Sequence, residues 1–147
     1  MGKLTLQITS LLLKQVHALG ESAYPDEGAG LLLGRTDDNT RQVIAILEMT
    51  NARKKSARRS RYLITPRDML RAEREASRRG LDVLGVFHSH PDHPNRPSEF
   101  DRERALPWFS YLITSVQDGS AVQSLSWRLQ EDRSEFIEEE IIELRGV

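Results

Sequence analysis

The sequence predicts an α/β fold in which a mixed β-sheet is flanked by helices. Strand-like and helix-like patterns alternate along most of the chain, and strand patterns alone complete it. No apolar stretch approaches the ~20 residues that a membrane helix needs. At 147 residues the chain is long enough for one domain, spanning 1–147, that buries roughly two-thirds of its unfolded surface.

The elements follow in order. Leu4, Leu6 and Ile8 alternate with Thr5 and Gln7, which reads as a short strand over Lys3–Ile8. Thr9 or Ser10 can cap a helix to about Glu21 with Leu12, Leu13, Val16 and Leu19 on one face. His17 lies in this helix and reads as a packed or surface side chain. The breaker-rich stretch Tyr24–Gly30 is a turn feeding the strand Leu31–Gly34. Glu27, in that turn, reads from this stretch alone as a solvated carboxylate. Asp37–Thr40 is a turn before a strand over Arg41–Thr50. Arg53–Arg61 carries six basic residues and no acid, and reads as a solvated loop before a strand at Tyr62–Ile64. It has no interleaved aromatic side chains, so nothing in it marks a surface for nucleic acid.

Thr65-Pro66-Arg67-Asp68 opens a helix with a capping threonine, proline at the first position and an acid at the third. That helix runs to Arg79, and Gly80 ends it. Leu81–Phe87 reads as a buried strand. A helix follows from Ser98 to about Ala105, then strands at Ser110–Val116 and Val122–Leu129 around an Asp118-Gly119 turn. The acidic tail containing Phe136, Ile137, Ile141, Ile142 and Leu144 is compatible with strand or helix.

Composition narrows the chemistry. With 38% apolar and 29% charged residues and a net charge of −1, the chain has the balance of a soluble globular protein, with no bias towards nucleic acid or membrane. It has no cysteine, so disulfides and thiolate metal sites are excluded, and any zinc must be held by histidine and carboxylate. The N-terminus lacks the pattern of a signal peptide, so a cytoplasmic location is expected.

The stretch around which these elements are organised is His88–Asp101. Residues two apart in a strand project to one face, so His88 and His90 point together while Ser89 points away. Two imidazole nitrogens so placed can each reach one zinc at about 2.0–2.1 Å. Ser98 and Asp101 are three apart at a helix start and share a face, and Asp101 can supply a third ligand. Three protein ligands with an open fourth position suit a catalytic zinc. The plainer reading of Ser98-x-x-Asp101 is a capping box, and His-x-His alone is weak. It is their combination across a short proline-rich loop that favours a metal site.

At this point the chain resembles the JAMM (MPN-plus) zinc metalloproteases. Their signature is an upstream Glu, then His-Ser/Thr-His-Pro, seven residues counted from that Pro, then Ser-x-x-Asp. Here His88-Ser89-His90 is followed by seven residues from Pro91 to Pro97, then Ser98 and Asp101, and Glu27-Gly28 precedes an apolar strand. The element order matches over nearly the whole chain, and the compact prokaryotic Mec-type branch is the most similar. The resemblance implies an MPN/JAMM fold, a layered sandwich like that of cytidine deaminases. It implies His88, His90 and Asp101 as ligands of one zinc ion per chain. It implies Glu27 as general base and Ser98 as the hydroxyl that steadies the oxyanion. Many relatives have Cys where Ala29 stands, which suggests packing there; His93 lies outside the signature and reads as a loop residue.

The implied activity is hydrolysis of a peptide or isopeptide bond after the C-terminal glycine of a ubiquitin-like or sulfur-carrier protein, for example release of cysteine from a carrier adduct. The Gly-Gly tail of that partner is expected along a sheet edge, and the basic loop could meet an acidic carrier surface. The alternative is a catalytically silent MPN scaffold for protein assembly, but such members lack one or more of the five positions. A zinc nucleobase deaminase needs cysteines this chain does not have.

Overall fold

The computed structural model describes residues 3–49 and 64–145. The predicted basic loop and all but the last residue of the strand expected at 62–64 lie outside the described residues, and Ile64 lies in no element. Seven strands and three helices are found among the described residues. They are β1 (Thr5–Thr9), α1 (Ser10–Ala23), β2 (Ala29–Asp37), β3 (Thr40–Met49), α2 (Pro66–Arg78), β4 (Asp82–Pro91), α3 (Glu99–Arg104), β5 (Ser110–Gln117), β6 (Ser120–Leu129) and β7 (Phe136–Leu144).

The helix boundaries follow the predicted caps. Thr9 accepts the Leu12 N–H at 3.1 Å and starts α1. Thr65 and Asp68 form a reciprocal capping box at the start of α2. Ser98 and Asp101 do the same for α3. Past α2, Gly80 takes φ 68°, a conformation that costs glycine little.

The central strands are covered on both faces, which is why their sequences are nearly continuous apolar runs. Leu32, Phe87 and Leu112 pack with Leu6, Ile8 and Val16 of β1 and α1. Their immediate neighbours Leu31, Val86 and Tyr111 pack with Ala72 of α2 and with Met49, Ala105 and Phe109. The pleat therefore sorts alternate residues of β2, β4 and β5 between an α1 side and an α2/α3 side.

The sheet is mixed, as predicted, with parallel pairs β1–β3, β1–β7 and β4–β5 and antiparallel pairs elsewhere. The expectation of a layered sandwich is met only in part, because the strands close into a barrel in the order β1-β3-β2-β4-β5-β6-β7. The cause lies in α1, which touches β1, β3, β4, β5, β6 and β7. The sheet curls around this helix until β7 reaches β1, and only α2 and α3 remain outside it. Closure is not continuous along every strand: β3 pairs with β1 only over Thr40–Gln42, so among the described residues its 43–49 stretch has a strand partner on the β2 side alone.

The tail proves to be strand β7, paired with β6 on one side and β1 on the other. Glu139 is buried there and accepts from Ser126 Oγ and Arg128 Nε, each at 2.6 Å. A glutamate run has little strand propensity of its own, so pairing and this buried bond decide the matter.

Candidate metal centre and active site

β4 positions the two histidines. Val86 faces the α2/α3 side, so His88 and His90 face it too, while Ser89 faces α1. The two imidazoles lie with ring centroids 5.0 Å apart, His88 fully buried and His90 nearly so. Asp101, at the third position of α3, comes up against both. Its Oδ2 lies 3.2 Å from His90 Nε2 and its Oδ1 lies 3.6 Å from His88 Nε2. The three residues offer ligand atoms that all lie within 4.8 Å of one another.

Those separations suit a metal. Two ligands at about 2.0–2.1 Å from a tetrahedral zinc stand roughly 3.3 Å apart, close to the His90–Asp101 and His88–Asp101 distances. The donor set of two imidazoles and one carboxylate is of the type zinc takes in hydrolytic sites. His90 is also set in the right tautomer: its Nδ1 lies 2.7 Å from the Pro94 carbonyl oxygen, so Nδ1–H donates there and Nε2 keeps its lone pair for a metal. The predicted ligands therefore fit the ion the resemblance implies.

Electrostatics point the same way. Burial drives the pKa of His88 from 6.5 down to about 4, with His90 adding to the effect and Asp101 opposing it. The ring is thus neutral at neutral pH, as a metal ligand must be. For Asp101, burial is the largest influence and would raise its pKa. His88, the hydrogen bond to His90 and the Ser98 N–H together outweigh it, and the carboxyl stays ionised well below its ordinary range.

Glu27 stands next to the group. It is buried, 3% exposed, and its Oε1 lies 3.9 Å from His88 Nδ1. Its burial corrects the solvated-turn reading of the local sequence. What holds it is a pair of bonds between neighbours: Gly28 N–H donates to Ser89 Oγ at 2.8 Å, and Ser89 N–H donates to the Gly28 carbonyl at 3.0 Å. A side chain at Gly28 would be crowded, because a Cβ would lie 3.0 Å from the Leu19 carbonyl oxygen. A second tie runs through Asp92, which accepts from Tyr24 Oη at 2.7 Å and from Asp118 N–H at 3.0 Å.

Ser98 sits at the helix cap, and its Oγ accepts the Asp101 N–H at 3.1 Å. A hydroxyl has two lone pairs and one proton, so the cap leaves its O–H free to donate. Glu27, His90 and Ser98 line one cavity of about 460 Å³, together with His93, Arg96 and Phe100. His93 lines this cavity but is not among the grouped ligand atoms. His17 is remote in role: its Nε2 lies 3.0 Å from Ser124 Oγ and ties α1 to β6. Ala29 is buried in the apolar cluster beneath α2, where packing was expected.

Sequence reasoning missed two features. The function of Ser89 was legible only as a direction, because nothing local links it to Gly28. Nothing in the sequence distinguishes Arg96 within the proline-rich loop, yet that loop forms a wall of the cavity.

Comparison with known proteins agrees with the geometry. Residues 9–130 match the family of prokaryotic homologs of the JAB domain. A protein from Thermus thermophilus described as a probable TtuB-protein conjugate cleaving protease is 32% identical over 110 residues, covering 75% of this chain and 70% of that protein. A desampylase from Haloferax volcanii is 35% identical over 92 residues, covering 62% of this chain and 63% of its own length. Among solved structures, a protein from Desulfitobacterium hafniense superposes with a TM-score of 0.84 at 31% identity, over 97% of this chain and 94% of that one. With its match across most of the chain, this protein belongs to the prokaryotic JAB domain family.

Proposed function

We propose that this chain is a zinc-dependent metallopeptidase, one domain acting in the cytoplasm, that hydrolyses the bond after the C-terminal glycine of a ubiquitin-like or sulfur-carrier protein. The observation that carries the reading is a buried His88–His90–Asp101 group whose His90 lines one cavity with buried Glu27 and the capping Ser98. The names of the Thermus and Haloferax relatives, a probable TtuB-protein conjugate cleaving protease and a desampylase, support the substrate class.

In this reading His88, His90 and Asp101 hold the ion. Bound zinc supplies Lewis acidity, lowering the pKa of water from about 15.7 towards 7. Glu27 accepts the proton of the attacking water and returns it to the departing amine, so the amide is exchanged for a carboxylic acid and a free amine. Ser98 donates its O–H to the carbonyl oxygen as negative charge develops on it. The cleft would hold the glycine carbonyl between Ser98 and Glu27.

The test is incubation of the zinc-loaded protein with a sulfur carrier joined through its terminal glycine to cysteine, with products read by mass. Cleavage that stops in Glu27→Gln while the metal stays bound supports the reading. A wild-type protein that binds no metal and cleaves no adduct sinks it.

A further inference from the structure

Arg96 lines the same cavity as the proposed machinery and forms no ion pair among the described residues. It lines the cleft with Glu27, His90 and Ser98. The other exposed charge on that wall, Glu99, is committed to Arg102 within α3, with one contact at 3.2 Å. No carboxylate of the described residues pairs with Arg96.

The guanidinium is nevertheless held in place. It lies over the ring of Trp127, 5.8 Å from the centroid, and Trp127 is almost wholly buried. Trp127 Nε1 donates to the Asn95 carbonyl at 3.1 Å, and Asn95 Nδ2 donates to the Gln123 carbonyl at 3.2 Å. The residue before Arg96 is thus pinned to β6, and the side chain is braced on an aromatic face. An arginine fixed in this way presents a planar fork of N–H donors already shaped for a carboxylate. Ser98 is two residues on, at most about 7 Å along the chain, so an anion held by Arg96 lies beside the carbonyl being cleaved.

We propose that Arg96 is a specificity residue that receives a carboxylate of the substrate next to the scissile bond. The inference rests on the proposed peptidase reading. Two parts of a substrate could carry that group: the free α-carboxylate of a released amino acid, or an acidic side chain of the carrier near its tail. A substrate whose leaving group is a lysine side chain within a protein offers no α-carboxylate there.

The experiment uses zinc-loaded wild type and Arg96→Met, and three adducts of one Gly-Gly-tailed carrier. The first is joined to cysteine, the second to cysteinamide, and the third to cysteine with the acidic residues nearest the tail changed to amides. Binding of the same adducts to Glu27→Gln, with and without Arg96→Met, is measured by calorimetry. On wild type, removing the recognised carboxylate lowers kcat/KM and affinity about tenfold, the scale of one charge-assisted bond. A loss on the second adduct assigns the α-carboxylate, and a loss on the third assigns the carrier side chain. In Arg96→Met the discrimination disappears while bound zinc is unchanged. If wild type treats all three adducts alike, or Arg96→Met still discriminates, the inference is wrong. If wild type cleaves none of them, the failure belongs to the peptidase reading.

Discussion

Ser89 and Gly28, 61 residues apart in sequence, are hydrogen-bonded in both directions, side chain to backbone and backbone to backbone. The consequence is mechanical. Glu27 precedes Gly28 and His88 precedes Ser89, so this one clamp sets the proposed base against a proposed ligand.

Ser89→Ala removes the acceptor of the Gly28 N–H and leaves a half-buried donor without that partner. A loss of about 1–3 kcal/mol in unfolding free energy is expected, together with a fall in kcat larger than any change in KM. Denaturant titration and steady-state kinetics check both. A variant that loses stability but keeps kcat would show that the clamp does not position Glu27.

Metal binding divides the site residues. His88→Ala and Asp101→Ala should each lose the zinc found by metal analysis, whereas Glu27→Gln and Ser98→Ala should keep it. Ser98→Ala should lower kcat by about 10²–10³, the worth of an oxyanion donor. It should also cost about 1 kcal/mol of stability as a lost cap. Full activity in Ser98→Ala would leave Ser98 a cap alone.

The metal-free protein should weaken as pH falls from 6.5 to about 4. Burial holds the native His88 pKa near 4, while the unfolded chain takes up that proton near 6.5. Between these values the unfolded state binds more protons, so stability is complete above pH 6.5 and declines below it, by at most about 3 kcal/mol. Asp101 is shifted down as well, so its contribution has the same sign and is lost at lower pH, as the pH falls below the ordinary carboxylate range. Denaturation of chelator-treated protein at pH 5 and pH 7 measures the slope, and His88→Asn should flatten it.

Glu139→Ala tests barrel closure. The mutation leaves Arg128 half-buried opposite an empty position and strips Ser126 of its acceptor. Breaking a buried pair from one side costs about 3–5 kcal/mol, so the midpoint of thermal unfolding should fall by many degrees. A shift of a degree or two would mean that β7 adds little to the fold.

What could be read from the residues, and what could not, divides along physical lines. Helix starts were legible at Thr9, Thr65 and Ser98 because capping is local chemistry. His88, His90, Ser98 and Asp101 could be gathered because strand and helix periods set their faces. The burial of Glu27 was hidden, since it depends on a bond to Ser89 from another element. The tail stayed ambiguous because pairing with β1 and β6, not propensity, makes it a strand. Closure of the sheet was invisible for a related reason: it comes from the packing of one helix against six strands.

The alternation along β4 carries one more consequence. A single strand serves two tasks, with His88 and His90 turned to the metal side and Ser89 turned to the clamp. Because strand faces have a period of two, sliding this segment by one position would exchange them. Ser89 would then face Asp101, and a histidine would be driven against Gly20, where a Cβ on the glycine would already stand only 3.2 Å from Ser89 Cβ. Inserting one residue between Gly85 and His88 should therefore abolish metal binding and loosen Glu27 in the same stroke, leaving every proposed site residue in the sequence and the two histidines on the wrong face.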